Sequence, residues 1–258
     1  MMQAYNTAFA RVYNQRWTSF ARQIAPYLFG FYVGIPPAAT KHTVLDLCCG
    51  TGQVAHYFLE RGYHVVGLDL SEGMLHYARE NNRSYVNGGQ ARFVQGDAAK
   101  FTLEERFGLV ISTFDALNHL PDLDALHSCF QSVAAVADGY FLFDLNTRVG
   151  LRRWNSIEVD DSREDMLIVN HGIFDVNNER AWMKVTGFVR NDDGLYERFE
   201  QTAYNTLFAL ADVQQALTET GWQQVHFARL TDLKTPLADP ETEGRVWVVA
   251  QKSPTITN

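Results

Sequence analysis

The chain is poor in cysteine, in net positive charge and in long apolar runs. Three cysteines occur in 258 residues. Two of them, Cys48 and Cys49, are adjacent, and neighbours of that kind rarely bridge. A disulfide scaffold is excluded, and no CxxC or His/Cys cluster has the spacing of a metal site. Reduced thiols in the cytoplasm are the expectation. Asp and Glu total 30 against 22 Lys and Arg, a formal net charge of −8. Nonspecific nucleic-acid binding rests on clustered Lys and Arg, so no nucleic-acid partner is expected. No apolar run approaches the ~18 residues of a membrane span. Residues 1–6 have no basic segment leading into an apolar one, so neither a membrane partner nor a secretory signal is expected. Internal repeats and low-complexity stretches are also lacking.

What is there suits a folded chain of roughly one to two domains: 46% hydrophobic and 20% charged residues, far from the composition of disorder. Tyr5, Phe9, Val12, Tyr13, Trp17, Phe20 and Ile24 recur at helical spacing and predict one or two amphipathic helices, ended by Pro36-Pro37. Strands are then expected at 44–47, 64–69, 91–95, 107–112 and 140–144. Helices between them carry Val54, Ala55, Phe58 and Leu59 (stopped at Gly62), then Met74, Leu75 and Ala78 (capped by Ser71), then Leu123, Leu126, Phe130, Val133 and Ala137. Strands alternating with helices mean parallel pairing and right-handed crossovers. After Asp144 the rhythm breaks into three expected antiparallel strands, 166–174, 182–190 and 195–204, with turn signals at Asn177-Asn178 and Asp192-Asp193-Gly194. A helix near 211–220, closed by Gly221, and two strands at 224–230 and 245–251 complete the pattern. No helix is evident between those two strands, so they are paired antiparallel. The expected fold is α/β, a doubly wound, Rossmann-like seven-stranded sheet with five parallel strands and a C-terminal antiparallel pair. An antiparallel β lid is inserted. The expected units are 1–147, with the helical cap and the first part of the main domain, 148–208 as the lid, and 209–258 as the rest.

Ligands of open α/β sheets sit beyond the carboxyl ends of the strands, at the switch point. The loop Asp46-Leu47-Cys48-Cys49-Gly50-Thr51-Gly52 lies there. Its glycines let a ligand approach the backbone and offer N–H groups at a helix N-terminus. Asp69 ends the second strand, 17 residues after Gly52, where a carboxylate can accept from both hydroxyls of a ribose. Asp97 ends the third, where it can accept from an exocyclic amine. Residues 50–55 match G-x-G-x-x-A, so a dinucleotide is also open. Asp46 discriminates. A carboxylate leading into the turn suits a cationic amino group and repels a pyrophosphate. Each of these aspartates also suits a capping role at its strand end.

Val44-Leu45-Asp46-Leu47-Cys48-Cys49-Gly50-Thr51-Gly52 resembles the first motif of class I S-adenosylmethionine-dependent methyltransferases. Val66-Gly67-Leu68-Asp69-Leu70-Ser71-Glu72-Gly73-Met74-Leu75 resembles the second, and Phe93-Val94-Gln95-Gly96-Asp97-Ala98 the third. The likeness is strong over residues 40–147 and looser over 195–252. Cys48 stands where glycine is common. The resemblance implies S-adenosylmethionine as cofactor, with Asp46, Cys48, Gly50 and Gly52 around its methionyl part and Asp69 on the ribose. Leu70 and Met74 would press on the adenine, and Asp97 would meet the adenine amine beside the Ala98 backbone. Ser112, Thr113 and Phe114 would line the sulfonium. Tyr13 matches a tyrosine that covers the methionine end in related small-molecule enzymes. Met74 and Tyr13 equally suit core packing, since both sit in apolar helical stripes.

Methyl transfer is an in-line displacement, so the protein chiefly aligns donor and acceptor. A base is needed only where the acceptor must lose a proton. His119 follows the fourth strand on the methyl side and is the candidate catalytic residue, since an imidazole suits proton transfer near neutral pH. Packing ahead of Pro121 is the alternative for it. Asp115 and Asn118 would orient an acceptor or cap the turn. Arg148, Arg152 and Arg153 would receive an anion or form a solvated face. The lid aromatics would mostly pack, with a minority lining a pocket. The reading is a methyltransferase acting on N or O of a small-molecule acceptor, as a monomer or homodimer. The alternatives are an NAD(P)-dependent oxidoreductase and a noncatalytic S-adenosylmethionine-binding module.

Overall fold

The computed structural model describes Tyr5, residues 7–191 and residues 193–252. The N-terminal aromatic stripe folds as two helices, α1 (Thr7–Arg16) and α2 (Thr18–Val33), split at Trp17. Then come β1 (Thr43–Leu47), α3 (Gln53–Leu59), β2 (His64–Asp69), α4 (Glu72–Asn81), α5 (Arg83–Asn87), β3 (Ala91–Gln95) and β4 (Phe107–Ser112). A 3-10 turn, Ala116–His119, leads to α6 (Leu123–Val136), β5 (Ala137–Asn146) and the short α7 (Arg148–Arg152). The strands β6 (Ser156–Arg163), β7 (Met166–Asp175), β8 (Arg180–Arg190) and β9 (Tyr196–Thr206) follow, then α8 (Leu210–Glu219), β10 (Gln224–Ala228) and β11 (Arg245–Gln251).

The main sheet has seven strands in the order β10-β11-β5-β4-β1-β2-β3. β1, β2, β3, β4 and β5 pair in parallel, and β11 runs antiparallel to both of its neighbours. The strand order reverses between β1 and β4, which opens a crevice at their carboxyl ends. Helices cover both faces, so the inner strands are apolar almost throughout: β4 is buried at every position. One core lies between the sheet and α6 and α8, around Phe130, Val133, Leu217 and Trp222. The other packs Leu28, Phe58 and Leu75 from α2, α3 and α4 against the opposite face. Ser71 caps α4, its Oγ accepting from the Met74 N–H at 3.3 Å.

The inserted region is a separate antiparallel sheet of four strands, ordered β6-β7-β8-β9. Three were expected. The missed strand, β6, reads Ser-Ile-Glu-Val-Asp-Asp-Ser-Arg and leaves Ile157 and Val159 exposed. The alternation is confined to Ile157 and Val159 and then lost in Asp-Asp-Ser-Arg, too short a signal for an edge strand that buries neither face. Two short helices, α5 and α7, were also not foreseen. α6 stops at Val136, and Ala137 turns at once to an extended backbone as the first residue of β5, so that strand is longer at both ends than expected. β10 ends at Ala228, short of the expected 230. The Asn177-Asn178 turn is held by Asp175 Oδ1, which accepts from both backbone N–H groups. Gly194 supplies a left-handed residue (φ +80°) to the next turn, whose expected Asp192 lies outside the described residues.

A third apolar cluster joins the two sheets through α1. Phe9 and Val12 meet Met74 of α4 on one side and Met166, Ile168, Val185 and Phe199 of the second sheet on the other. Arg16 pairs with Asp160 of β6, and Arg11 with Glu197 of β9 at 3.4 Å.

Candidate active site

The carboxyl ends of β1, β2, β3 and β4 carry the sequence-predicted residues, with α1 as a roof over the first of them. After β1 the chain makes a run of left-handed turns: Cys48 has φ +61°, Gly50 +54° and Gly52 +80°. Two of these three positions are glycine, which adopts that conformation without a Cβ clash. At Gly52 a Cβ would fall 2.8 Å from Asn82 Nδ2 and 3.1 Å from Ala78 Cβ, so the turn lies tight on α4. At Gly50 a Cβ would approach the Tyr13 ring at 3.6 Å. Tyr13 therefore lies over the turn. Asn14 fixes that placement, its side-chain oxygen accepting from Gln53 Nε2 at 3.1 Å and Asn81 Nδ2 at 2.8 Å.

Two carboxylates are built into this loop. Asp46 is buried at the end of β1, and its Oδ2 accepts from the Ala55 N–H of α3 at 3.1 Å. Burial pushes its carboxyl up to about 7, against the pull of the Ala55 N–H and with a further push from Asp69. Asp69 at the end of β2 accepts from the Gly50 N–H on Oδ2 and from the Ser71 N–H on Oδ1, both at 2.9 Å. Burial raises it too, while those two N–H groups and His119 oppose the rise. The Cys48 thiol is likewise pushed up by burial and by Asp69. Negative charge thus converges on a dry turn.

The other predicted residues are less uniform. Leu70 is half-buried, and its carbonyl accepts from Gln95 Nε2 at 3.0 Å. Met74 is 1% exposed within the α1 cluster. Asp97 is exposed and caps a turn, accepting from the Ala99 N–H at 2.8 Å, while Ala98 is buried. Thr113 and Phe114 are half-buried. Ser112 is buried beside the Cys48 thiol, and Asp144 Oδ1 is buried without a hydrogen-bond partner among the described residues. Buried polar groups of that kind are rare and call for a donor from elsewhere.

His119 faces this rim from the 3-10 turn. Its Nδ1 lies 2.7 Å from the Tyr204 carbonyl oxygen of β9, and its Nε2 3.3 Å from the Tyr5 hydroxyl. A carbonyl only accepts, so Nδ1 carries the proton. In the neutral ring Nε2 then accepts from the Tyr5 O–H. Tyr5 was counted in the sequence only as part of an aromatic stripe. Its phenol is pushed well above the usual range, chiefly by burial and then by Asp115 and Asp69. The Tyr5 carbonyl also accepts from Ser71 Oγ at 2.9 Å. Asn118 is fully buried and works on the backbone: its Nδ2 donates to the Thr206 carbonyl at 2.9 Å, and its Oδ1 accepts from the Asn146 N–H at 2.9 Å. Arg148 is paired with Glu179, and Arg152 and Arg153 are exposed.

Residues 44–138 match the family described as methyltransferase domain. The YqeM protein of Bacillus subtilis, which carries a provisional methyltransferase name, is 30% identical over 224 residues, covering 84% of this chain and 87% of that one. A dTDP-3-amino-3,4,6-trideoxy-alpha-D-glucopyranose N,N-dimethyltransferase of Streptomyces venezuelae is 26% identical over 197 residues, covering 69% of this chain and 74% of its own. Among solved structures, an S-adenosylmethionine-dependent methyltransferase of Clostridium acetobutylicum has the same fold. Its TM-score is 0.77 at 19% identity, over 95% of this chain and 98% of that one. The glycine turn, the strand-tip carboxylates and these relatives agree: the chain belongs to the class I S-adenosylmethionine-dependent methyltransferases.

Proposed function

We propose that this methyltransferase acts on the nitrogen or oxygen of a small molecule, with an amine as the favoured acceptor. The observation that carries the reading is the convergence of Asp46 and Asp69 on a left-handed glycine turn roofed by Tyr13. Buried carboxylates raised by desolvation, with the unpartnered Asp144 Oδ1 near the end of β5, suit a ligand that brings both cations and donors. S-adenosylmethionine fits that demand, and a dinucleotide pyrophosphate does not.

When bound, S-adenosylmethionine supplies a methyl carbon already activated by its sulfonium. Asp69, oriented by the Gly50 and Ser71 N–H groups, accepts from the ribose hydroxyls. Asp46 answers the ammonium end, and Cys48, Gly50 and Gly52 shape the turn against the methionyl chain. Leu70 and Met74 would press on the adenine, with Asp97 and the Ala98 backbone at its amine. Ser112, Thr113 and Phe114 wall the sulfonium side, and Tyr13 excludes water from the methionine end. His119 Nε2 receives the proton that a protonated amine or a hydroxyl gives up, once the acceptor takes the place of the Tyr5 hydroxyl. Nitrogen is favoured by the Streptomyces venezuelae relative, whose name gives an amino sugar as its substrate. The second sheet (148–208) serves as the lid between 1–147 and 209–258. Free Cys48, Cys49 and Cys129 suit a reducing cytoplasm. No helix among the described residues is long and apolar enough to cross a membrane, and a monomer or homodimer is proposed.

Calorimetric titration with S-adenosylmethionine tests the reading. The wild type binds, and Asp69→Ala weakens binding about 100-fold with its circular dichroism unchanged, since charge-assisted hydrogen bonds are lost. Binding of NADH in place of S-adenosylmethionine would return the oxidoreductase alternative.

A further inference from the structure

The bend between β4 and the His119 turn is strained and braced from a distance. Phe114 (φ +67°) and Asp115 (φ +48°) are consecutive non-glycine residues in the left-handed region. For a bulky residue such as Phe this backbone is an outlier that surrounding contacts must enforce. The contacts come from two other strands. The Asp115 N–H donates to Asp144 Oδ2 of β5 at 2.9 Å. Arg245, the first residue of β11, donates through Nη2 to Asp115 Oδ1 at 2.7 Å and through Nη1 to Asp144 Oδ2. The same guanidinium lies 5.3 Å from the centre of the Phe20 ring and 6.0 Å from that of Phe114. Phe20 and Phe114 are 4.6 Å apart, and Phe114 meets Tyr13 edge-on at 6.1 Å. The Asp115 carbonyl accepts from the Asn118 N–H at 3.0 Å, which starts the turn that carries His119.

We propose that Arg245 is a positioning residue for methyl transfer. It locks the Phe114–Asp115 bend through Asp115 and Asp144, and so fixes the wall beside the sulfonium and the direction in which the His119 turn leaves it. A planar fork that donates to two carboxylates while lying on two aromatic rings is a task suited to arginine and not to lysine. Nothing else charged and basic among the described hydrogen-bond partners reaches Asp115 or Asp144. The proposal rests on the cofactor position given above, and its test separates the two.

The test is S-adenosylmethionine affinity by calorimetry on the full chain, well below the unfolding midpoint, for the wild type, Arg245→Gln and Arg245→Lys. Arg245→Gln is expected to bind at least ten-fold more weakly, and Arg245→Lys to recover part of the loss. Crystal structures of Arg245→Gln should show Phe114 or Asp115 out of the left-handed region. A merely structural role would lower the midpoint and leave affinity alone, so wild-type affinity in folded Arg245→Gln overturns the proposal. Should Arg245→Gln not fold, Asp115→Asn replaces it. Asparagine tolerates the left-handed backbone but loses the charge, and a three-fold or larger weakening supports the brace while wild-type affinity overturns it. A wild type that does not bind S-adenosylmethionine at all overturns the functional reading and the brace together.

Discussion

At the scale of single residues, the site is a matter of which polar atoms are already committed. Asp69 spends an oxygen on each of two backbone N–H groups, and its remaining lone pairs are what a ribose would meet. His119 spends Nδ1 on the Tyr204 carbonyl, which leaves Nε2 as the basic face. Replacing His119 with Ala should therefore slow methyl transfer to an amine by about 100-fold or more, in the range of general-base catalysis. S-adenosylmethionine affinity should stay within two-fold. Equal turnover with the true acceptor removes the base role. The positions of Asp46 and Asp69 were legible because they are local: each is a carboxylate near the end of an apolar strand. Arg245 was not. It lies 130 residues from Asp115 in sequence, at the head of an ordinary apolar strand. Only the antiparallel register that sets Arg245 opposite Asn146 brings it to the rim. Tyr5 was unreadable for a similar reason, since an aromatic stripe has the same spacing whether its first ring enters a core or reaches a histidine.

At the scale of elements, the inner parallel strands announced themselves because burial on both faces leaves them apolar almost throughout. β6 did not, because it buries so little. The amide cluster that joins the two sheets was equally invisible. Asn118, Asn146 and Asn205 are all buried, and Asn146 Nδ2 donates to Asn205 Oδ1 at 3.2 Å. This cluster fastens the His119 turn to β5 and β9 together. Asn118→Ala would strand the Asn146 N–H and the Thr206 carbonyl without partners. Leaving such buried groups unpaired costs about 1–3 kcal/mol each. Urea unfolding should show a loss of about 2–4 kcal/mol. A variant as stable as the wild type would mean that water or a neighbour replaces the amide.

At the scale of the whole molecule, the site sets how stability depends on pH. Asp46 is raised from 3.8 to about 7 in the fold. The native state therefore holds a proton that the unfolded chain has released, and the unfolded state gains by ionising. This contribution to stability is in place below about pH 4 and is lost as the pH climbs through about 7. Asp69, also raised, acts in the same direction. Without ligand, the thermal midpoint should fall between about pH 4 and 7 and level off above that, and Asp46→Asn should show a shallower fall over that interval. Parallel slopes in the two proteins would mean that Asp46 titrates as an ordinary carboxyl.

The attachment of His119 to a carbonyl of the second sheet has a broader consequence. In the proposed function one sheet would grip the nucleoside, while the imidazole is aimed by the other and α1 packs on both. Donor grip and acceptor choice would then belong to different pieces of the chain. Reshaping the smaller sheet would retarget the enzyme to a new nucleophile without disturbing the pocket that holds the methyl source.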